Sequence, residues 1–158
     1  MKKYNQVALG GTFDIIHRGH LELLKESFKV GHFVVIGVTS DEFVRSVLKK
    51  KIKNHYYIRV RNIKKTIENE IGSNSYQITR LVDHFGPLMT SNKIDCLVVS
   101  EESEEKGKTI NPLRIKLGLP IIDIISVKMI LANDGLPISS SRIRSNEIDI
   151  NGSKIMDK

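Results

Sequence analysis

One cysteine in 158 residues leaves no internal disulfide to form. Cys96 is followed by Leu97, Val98 and Val99, which predicts an inert thiol buried in a strand and fits a reducing, cytoplasmic setting. No apolar run approaches the ~20 residues of a membrane span. The opening stretch MKKYNQVALGG is basic at its start, but its apolar part is too short for a secretory signal. Neither internal repeats nor low-complexity tracts interrupt the chain, so a single domain over 1–158 is expected, with a loose tail from about residue 150. The Walker pattern GxxxxGK(S/T) and the dinucleotide fingerprint are both missing. Acidic residues are absent from Arg45 to Lys65, a window that holds nine Lys/Arg.

What is present is an ordinary globular balance, 40% hydrophobic and 27% charged, long enough to bury roughly two-thirds of the unfolded surface. The net charge of +7 is smaller than the charge of the 45–65 window alone. Such a block suits a polyanion, either nucleic acid or phosphates gathered in a pocket; from charge alone a solvated lysine-rich face is the favoured reading.

Strand-like and helix-like segments alternate. Val7–Gly10 and Phe33–Thr39 read as apolar strands, and Arg18–Val30 places Leu21, Leu24 and Phe28 on one helical face with Gly31 as its C-cap. Ser40 or Asp41 caps a helix that reaches about Leu48, and Lys49–His55 is a basic loop. A helix carrying Val60, Ile63, Ile67 and Ile71 follows, then strands at Tyr76–Leu81, Asp95–Ser100 and within Ile121–Leu131. Asn111-Pro112 predicts a helix start with Asn111 as cap. The alternation predicts an α/β fold: a doubly wound, Rossmann-like, five-stranded parallel sheet with helices on both faces. Its ligand belongs at the carboxyl ends of the strands.

Two motifs fall at such ends. Gly10-Gly11-Thr12-Phe13-Asp14-Ile15-Ile16-His17-Arg18-Gly19-His20 joins the first strand to the first helix. His17 and His20 share one face of the helix's first turn, where backbone N–H groups favour an anion, and Gly19 leaves room for a flat base or sugar. A metal pair is the competing reading, but no third or fourth ligand is near in sequence. The second motif is Gly135-Leu136-Pro137-Ile138-Ser139-Ser140-Ser141-Arg142-Ile143-Arg144. Capping explains one or two of its serines; a phosphate site explains three serines with Arg142 and Arg144.

Together, GTFDxxHxGH and ISSSRIR resemble the HxGH nucleotidylyltransferase superfamily. Within it the chain is similar to archaeal-type phosphopantetheine adenylyltransferases and to the corresponding domain of eukaryotic CoA synthase. Supporting segments run along most of the sequence: Val38–Phe43, Asp83–Pro87, Val98–Ser103, Ile110–Pro112 with Arg114, Gly118–Pro120 and Asp134-Gly135. The resemblance implies adenylyl transfer from ATP to 4′-phosphopantetheine, giving dephospho-CoA and pyrophosphate, with Mg²⁺ arriving on ATP and no tightly bound organic cofactor. It implies that ATP lies against Gly11, Thr12, Phe13, His17, Gly19 and His20, with His20 stabilising the transition state. Ser139, Ser140, Ser141, Arg142 and Arg144 would hold the β- and γ-phosphates. Thr12, Lys51, Arg59 and Arg114 would bind phosphopantetheine, Lys51 bridging the two reacting phosphates, and no metal ligand would come from the protein. The usual threonine of the second motif is Ser141 here, which keeps the hydroxyl. Many relatives have proline where this chain has Asn54, which leaves open which of the loop lysines bridges.

Two other readings follow from the same residues. One keeps the mechanism and changes the acceptor to glycerol phosphate (with a cytidylyl donor), a flavin or nicotinamide mononucleotide. The other is a nucleic-acid-binding module using residues 45–65, with Tyr56 and Tyr57 stacking on bases. A membrane partner is not expected. The working unit is expected to be a monomer or a small homo-oligomer.

Overall fold

A computed structural model describes residues 2–155. Five strands form one parallel sheet: β1 (Tyr4–Gly11), β2 (Gly31–Thr39), β3 (Tyr76–Leu81), β4 (Cys96–Ser100) and β5 (Asp123–Val127). Their spatial order is β3-β2-β1-β4-β5. The chain therefore winds outward from β1 to β3, then returns to place β4 on the other side of β1. That reversal between β1 and β4 opens a crevice at the strands' carboxyl ends.

The strands alternate their side chains between two helical layers, as parallel strands covered on both faces must. Leu9, Val34, Ile36 and Val38 pack with Leu24 and Phe28 of α1 (Arg18–Val30) and with Ile63 and Ile67 of α3 (Tyr56–Glu70). On the opposite face Ala8 and Leu97 pack with Leu88, Ile94, Ile122 and Ile110 of α5 (Ile110–Lys116), which follows the short α4 (Glu104–Gly107). The doubly wound sheet expected from the sequence is what the chain forms. Cys96 is fully buried in β4, and burial pushes its thiol up to about 12, so it is unreactive.

Several local expectations hold to the residue and two need correction. The helix α1 runs from Arg18 to Val30 with Gly31 at its C-cap, and Ser40 caps α2 (Asp41–Phe43) by accepting a hydrogen bond from the Phe43 N–H at 3.1 Å. The helical path continues to Leu48 as a wider π-type turn, which ends at Lys49 with a left-handed φ of 53°. Nothing in the composition of Val44–Leu48 marks that widening. Asn111 is not a cap: it lies inside α5, whose N-cap is Thr109. Its amide instead brackets the residue before β5, donating to the Ile122 carbonyl at 2.9 Å and accepting from the Ile122 N–H at 2.8 Å.

Beyond β5 the chain crosses back over the carboxyl edge of the sheet. Ala132, Ile138 and Ile148 form a small separate cluster that carries α6 (Ser140–Arg144). The loose tail expected from about residue 150 falls in part on residues 156–158, which lie outside the described residues. Up to residue 155 the chain closes a turn, with the Asp149 N–H donating to the Ser153 carbonyl at 2.9 Å and the Ile155 N–H to the Glu147 carbonyl at 3.0 Å. Among the described residues no helix is long and apolar enough to cross a membrane.

Candidate active site

A cleft of about 360 Å³ lies at the switch between β1 and β4. Its walls come from six places in the chain: Thr12–Asp14 after β1, His17, Gly19 and His20 of α1, Lys50–Ile52, Ser100 and Glu102 at the end of β4, Val127–Ile130 after β5, and Ser139–Ser141 with Arg144 of α6. The two sequence motifs, more than a hundred residues apart, face each other across it. Among the described residues no three His, Cys, Asp or Glu side chains gather as a metal-binding group.

The two histidines are built into the start of α1 as its cap. His17 is the N-cap, and its Nδ1 accepts a hydrogen bond from the Gly19 N–H at 3.1 Å. His20 closes the reciprocal bond, its Nδ1 accepting from the His17 N–H at 3.3 Å. The rings stack, with centroids 3.8 Å apart, and Phe13 lies against His20 at 5.0 Å. Burial lowers His17 to about 4, and burial together with the neighbouring His17 lowers His20 to about 3. Both imidazoles are therefore neutral near pH 7. Because each Nδ1 accepts, each proton sits on Nε2. The result is a pair of fixed, uncharged N–H donors. Gly19 serves this stacking: a Cβ there would come within 2.9 Å of His17 Cε1.

Asp14 sits at the centre of the remaining wall and is 1% exposed. Its carboxylate accepts from the Lys53 N–H at 2.9 Å and the Asn54 N–H at 2.8 Å, and it pairs with the Arg144 guanidinium. The Asn54 side-chain amide donates to the Asp14 carbonyl at 2.7 Å. Ser140 Oγ both accepts from the Ile15 N–H at 3.4 Å and donates to the Ile15 carbonyl at 3.1 Å. These bonds dock α6 onto the turn after β1. Thr39 Oγ1 donates to Thr12 Oγ1 at 3.1 Å, which leaves the Thr12 hydrogen available to a ligand.

Residues 8–146 match the family profile described as cytidylyltransferase-like. A phosphopantetheine adenylyltransferase of Methanothermobacter thermautotrophicus is 42% identical over 148 residues, covering 94% of this chain and 88% of that protein. The enzyme of the same name from Methanopyrus kandleri is 39% identical over 149 residues, covering 94% of each. The chain belongs to the phosphopantetheine adenylyltransferase family. Among solved structures, a protein of unknown function from Archaeoglobus fulgidus superposes with a TM-score of 0.69 at 33% identity, covering 77% of this chain and 88% of that one. Pantothenate synthetase from Thermus thermophilus shares the fold alone, at a TM-score of 0.56 and 18% identity over 90% of this chain and 62% of that one.

For a phosphopantetheine adenylyltransferase, the placement of the expected residues sorts cleanly. Thr12, Phe13, His17, Gly19, His20, Lys51, Ser139, Ser140, Ser141 and Arg144 all line the cleft. Gly11 does not; it lies under the Phe13 ring, which a Cβ at that position would meet at 3.1 Å.

Three arginines are placed differently from the expectation. Arg142 turns away from the cleft into an ion pair with Asp134 and another with Glu147 at 2.8 Å, and it donates to the Pro137 carbonyl at 3.0 Å. It organises the loop before α6 instead of facing phosphate. Arg59 has no exposed surface and holds the cleft from beneath, donating to the Thr12 carbonyl at 2.8 Å, the Asn54 carbonyl at 3.0 Å and the Asp41 carboxylate at 2.7 Å. Arg114 is equally buried on the far face of the sheet, where it donates to the carbonyls of Leu88, Ser91 and Pro120. Neither Arg59 nor Arg114 reaches the cleft in this structure, so neither can contact an acceptor there without leaving its partners. Sequence reasoning missed Asp14 as more than a motif letter. Its signal was the position of an acid in the middle of an otherwise anion-binding turn.

Arg144 is the one arginine of the second motif that remains at the cleft. Arg144→Ala is expected to weaken pyrophosphate and ATP binding by about 1.5–3 kcal/mol, the scale of a hydrogen bond to a charged group. AMP, which lacks the phosphates concerned, should bind nearly as before. Calorimetry with the three ligands checks this, and equal losses for AMP and ATP would mean that Arg144 acts only on the fold.

Proposed function

We propose that this cleft transfers the adenylyl group of ATP to the phosphate of 4′-phosphopantetheine, forming dephospho-CoA and releasing pyrophosphate. The observation that carries the reading is the meeting of Lys50 and Lys51, two neutral imidazole donors and the Ser139–Ser141/Arg144 helix around one cavity, in a chain of this family. An oxygen of the acceptor phosphate attacks the α-phosphorus, a new P–O–P bond forms, and the bond to the β-phosphate oxygen breaks. The attacking phosphate is ionised at neutral pH, so the step needs no general base. It needs alignment and compensation for crowded negative charge.

Each wall has a part in that task. Ser139, Ser140, Ser141 and Arg144 hold the β- and γ-phosphates that leave. His17 and His20 present their Nε2–H groups to the triphosphate, and His20 follows the charge that grows as pyrophosphate departs. Lys51 and the Thr12 hydroxyl draw the acceptor phosphate toward the α-phosphate, with Lys50 beside them. Mg²⁺ bound to ATP neutralises part of the triphosphate charge; the cleft's imidazole, hydroxyl and cationic donors suit the phosphate oxygens of such a complex. A monomer or a small homo-oligomer is compatible with this reading, and a lone buried thiol suits a cytoplasmic enzyme.

The likeness to adenylyltransferases favours the phosphate reading of the basic segment over a nucleic-acid surface, although most of its lysines and arginines are exposed. Lys50 and Lys51 of that segment line the cleft, and Arg59 is interior. The test is pyrophosphate release from pairs of substrates. ATP with 4′-phosphopantetheine should give it, and ATP with flavin or nicotinamide mononucleotide should not. Release from CTP with glycerol phosphate, and none from the first pair, would overturn the assignment.

A further inference from the structure

A cleft that collects several phosphate charges contains a buried carboxylate, and Asp14 lines it. An unpaired acid in that position would oppose every ligand the cleft receives. Its oxygens, however, are already engaged by the protein. Asp14 Oδ1 accepts from the backbone N–H groups of Lys53 and Asn54, at 3.1 and 2.8 Å, and Oδ2 accepts from the Lys53 N–H at 2.9 Å and from Arg144. With both oxygens occupied, the carboxylate is not placed to take a proton from a substrate.

Apart from the Arg144 pairing, those bonds end on one short arm. Asn54 is gripped at three atoms: its N–H by the Asp14 carboxylate, its side-chain amide by the Asp14 carbonyl at 2.7 Å, and its own carbonyl by Arg59 at 3.0 Å. At the arm's other end, Lys49 takes its left-handed turn and the Lys50 N–H donates to the Val44 carbonyl at 3.2 Å. Between these two anchors Lys50 and Lys51 reach the cleft. A lysine side chain is flexible, so where its charge can act depends on where its backbone is held.

We propose that Asp14 is a positioning residue that holds the 49–54 arm, and through it Lys51, over the acceptor side of the cleft, while its pairing with Arg144 ties that arm to the triphosphate-side helix. The proposal rests on the adenylyltransferase reading for the identity of the acceptor. It makes one acid responsible for the distance between the two halves of the site. Removing its charge should therefore damage acceptor binding selectively, because Arg144 stays present for ATP.

The experiment is Asp14→Asn, which keeps the shape and removes the charge, with Asn54→Ala as a milder variant that cuts only the second tie. Misplacing a catalytic group by about 1 Å costs about 10²-fold. The KM for 4′-phosphopantetheine should rise by about 10-fold or more in Asp14→Asn and by less in Asn54→Ala. The ATP dissociation constant from calorimetry should stay within about threefold in both. Trypsin should cut within residues 49–53 faster in Asp14→Asn than in the parent. Equal losses for ATP and acceptor, or an unchanged acceptor KM, would overturn the proposal. If Asp14→Asn does not fold, the same asymmetry in Asn54→Ala carries the test. Parent protein that releases no pyrophosphate would refute the adenylyltransferase reading, and the trypsin comparison would still decide whether Asp14 holds the arm.

Discussion

His20→Ala is expected to lower kcat by about 10²–10³-fold while ATP affinity moves little, as for loss of a donor that acts mainly on the transition state. Alanine also removes the acceptor for the His17 N–H, so the start of α1 loses part of its cap. The two roles separate in His20→Gln. A glutamine three residues into a helix is a normal partner for the N-cap N–H, so this variant should melt close to the parent and still turn over slowly. A His20→Gln protein with near-parent kcat would place His20 among the structural residues. Acid stability gives a second reading of the same ring. In the unfolded chain His17 and His20 protonate near 6.5, whereas in the folded chain they resist protonation until about 4 and about 3. As pH falls below 6.5 the unfolded state binds protons that the folded state refuses, so stability drops until those lower values are reached. His20→Gln should flatten that decline in urea titrations between about pH 6 and 4.

The second large effect is expected where the sequence pointed to acceptor binding. Arg114→Ala leaves the carbonyls of Leu88, Ser91 and Pro120 without their donor in a site with no exposure. Unfolding should become easier by about 3 kcal/mol, since each abandoned buried polar group costs about 1–3 kcal/mol. For a chain of this length that corresponds to a melting temperature lower by roughly 6–12 °C. The KM for 4′-phosphopantetheine, measured well below the new melting point, should be unchanged. A raised KM with an unchanged melting temperature would restore Arg114 to the acceptor site.

Arg114 and its two companions show where sequence reasoning stops. The sheet, the bounds of α1, the glycine turn and the cleft's histidines, serines and Lys51 are legible because their signals are local: periodicity, a cap, a motif at a strand end. An arginine's role depends on what lies opposite, and that is set by the fold. Arg142 and Arg144 are two residues apart in one motif. One meets Asp134 and Glu147, the other meets Asp14 from the far end of the chain. Asn111 followed by proline carries every local mark of a cap, yet the approach of Ile122 gives its amide a different use. Asp14 stayed hidden for the same reason, since its partners at 53, 54 and 144 are supplied by two other segments.

The bonds that close the cleft join Ile15 to Ser140 and Asp14 to Arg144, separations of 125 and 130 residues. During synthesis the glycine turn waits for about 125–130 further residues before its opposite wall exists. At about 5–20 residues per second that wait is roughly 6–26 s, during which Asp14 has no guanidinium to meet. A nascent chain stalled before residue 139 could therefore complete most of the sheet and still lack a grip for pyrophosphate. Competence for phosphate arrives in one late step, when α6 emerges and docks.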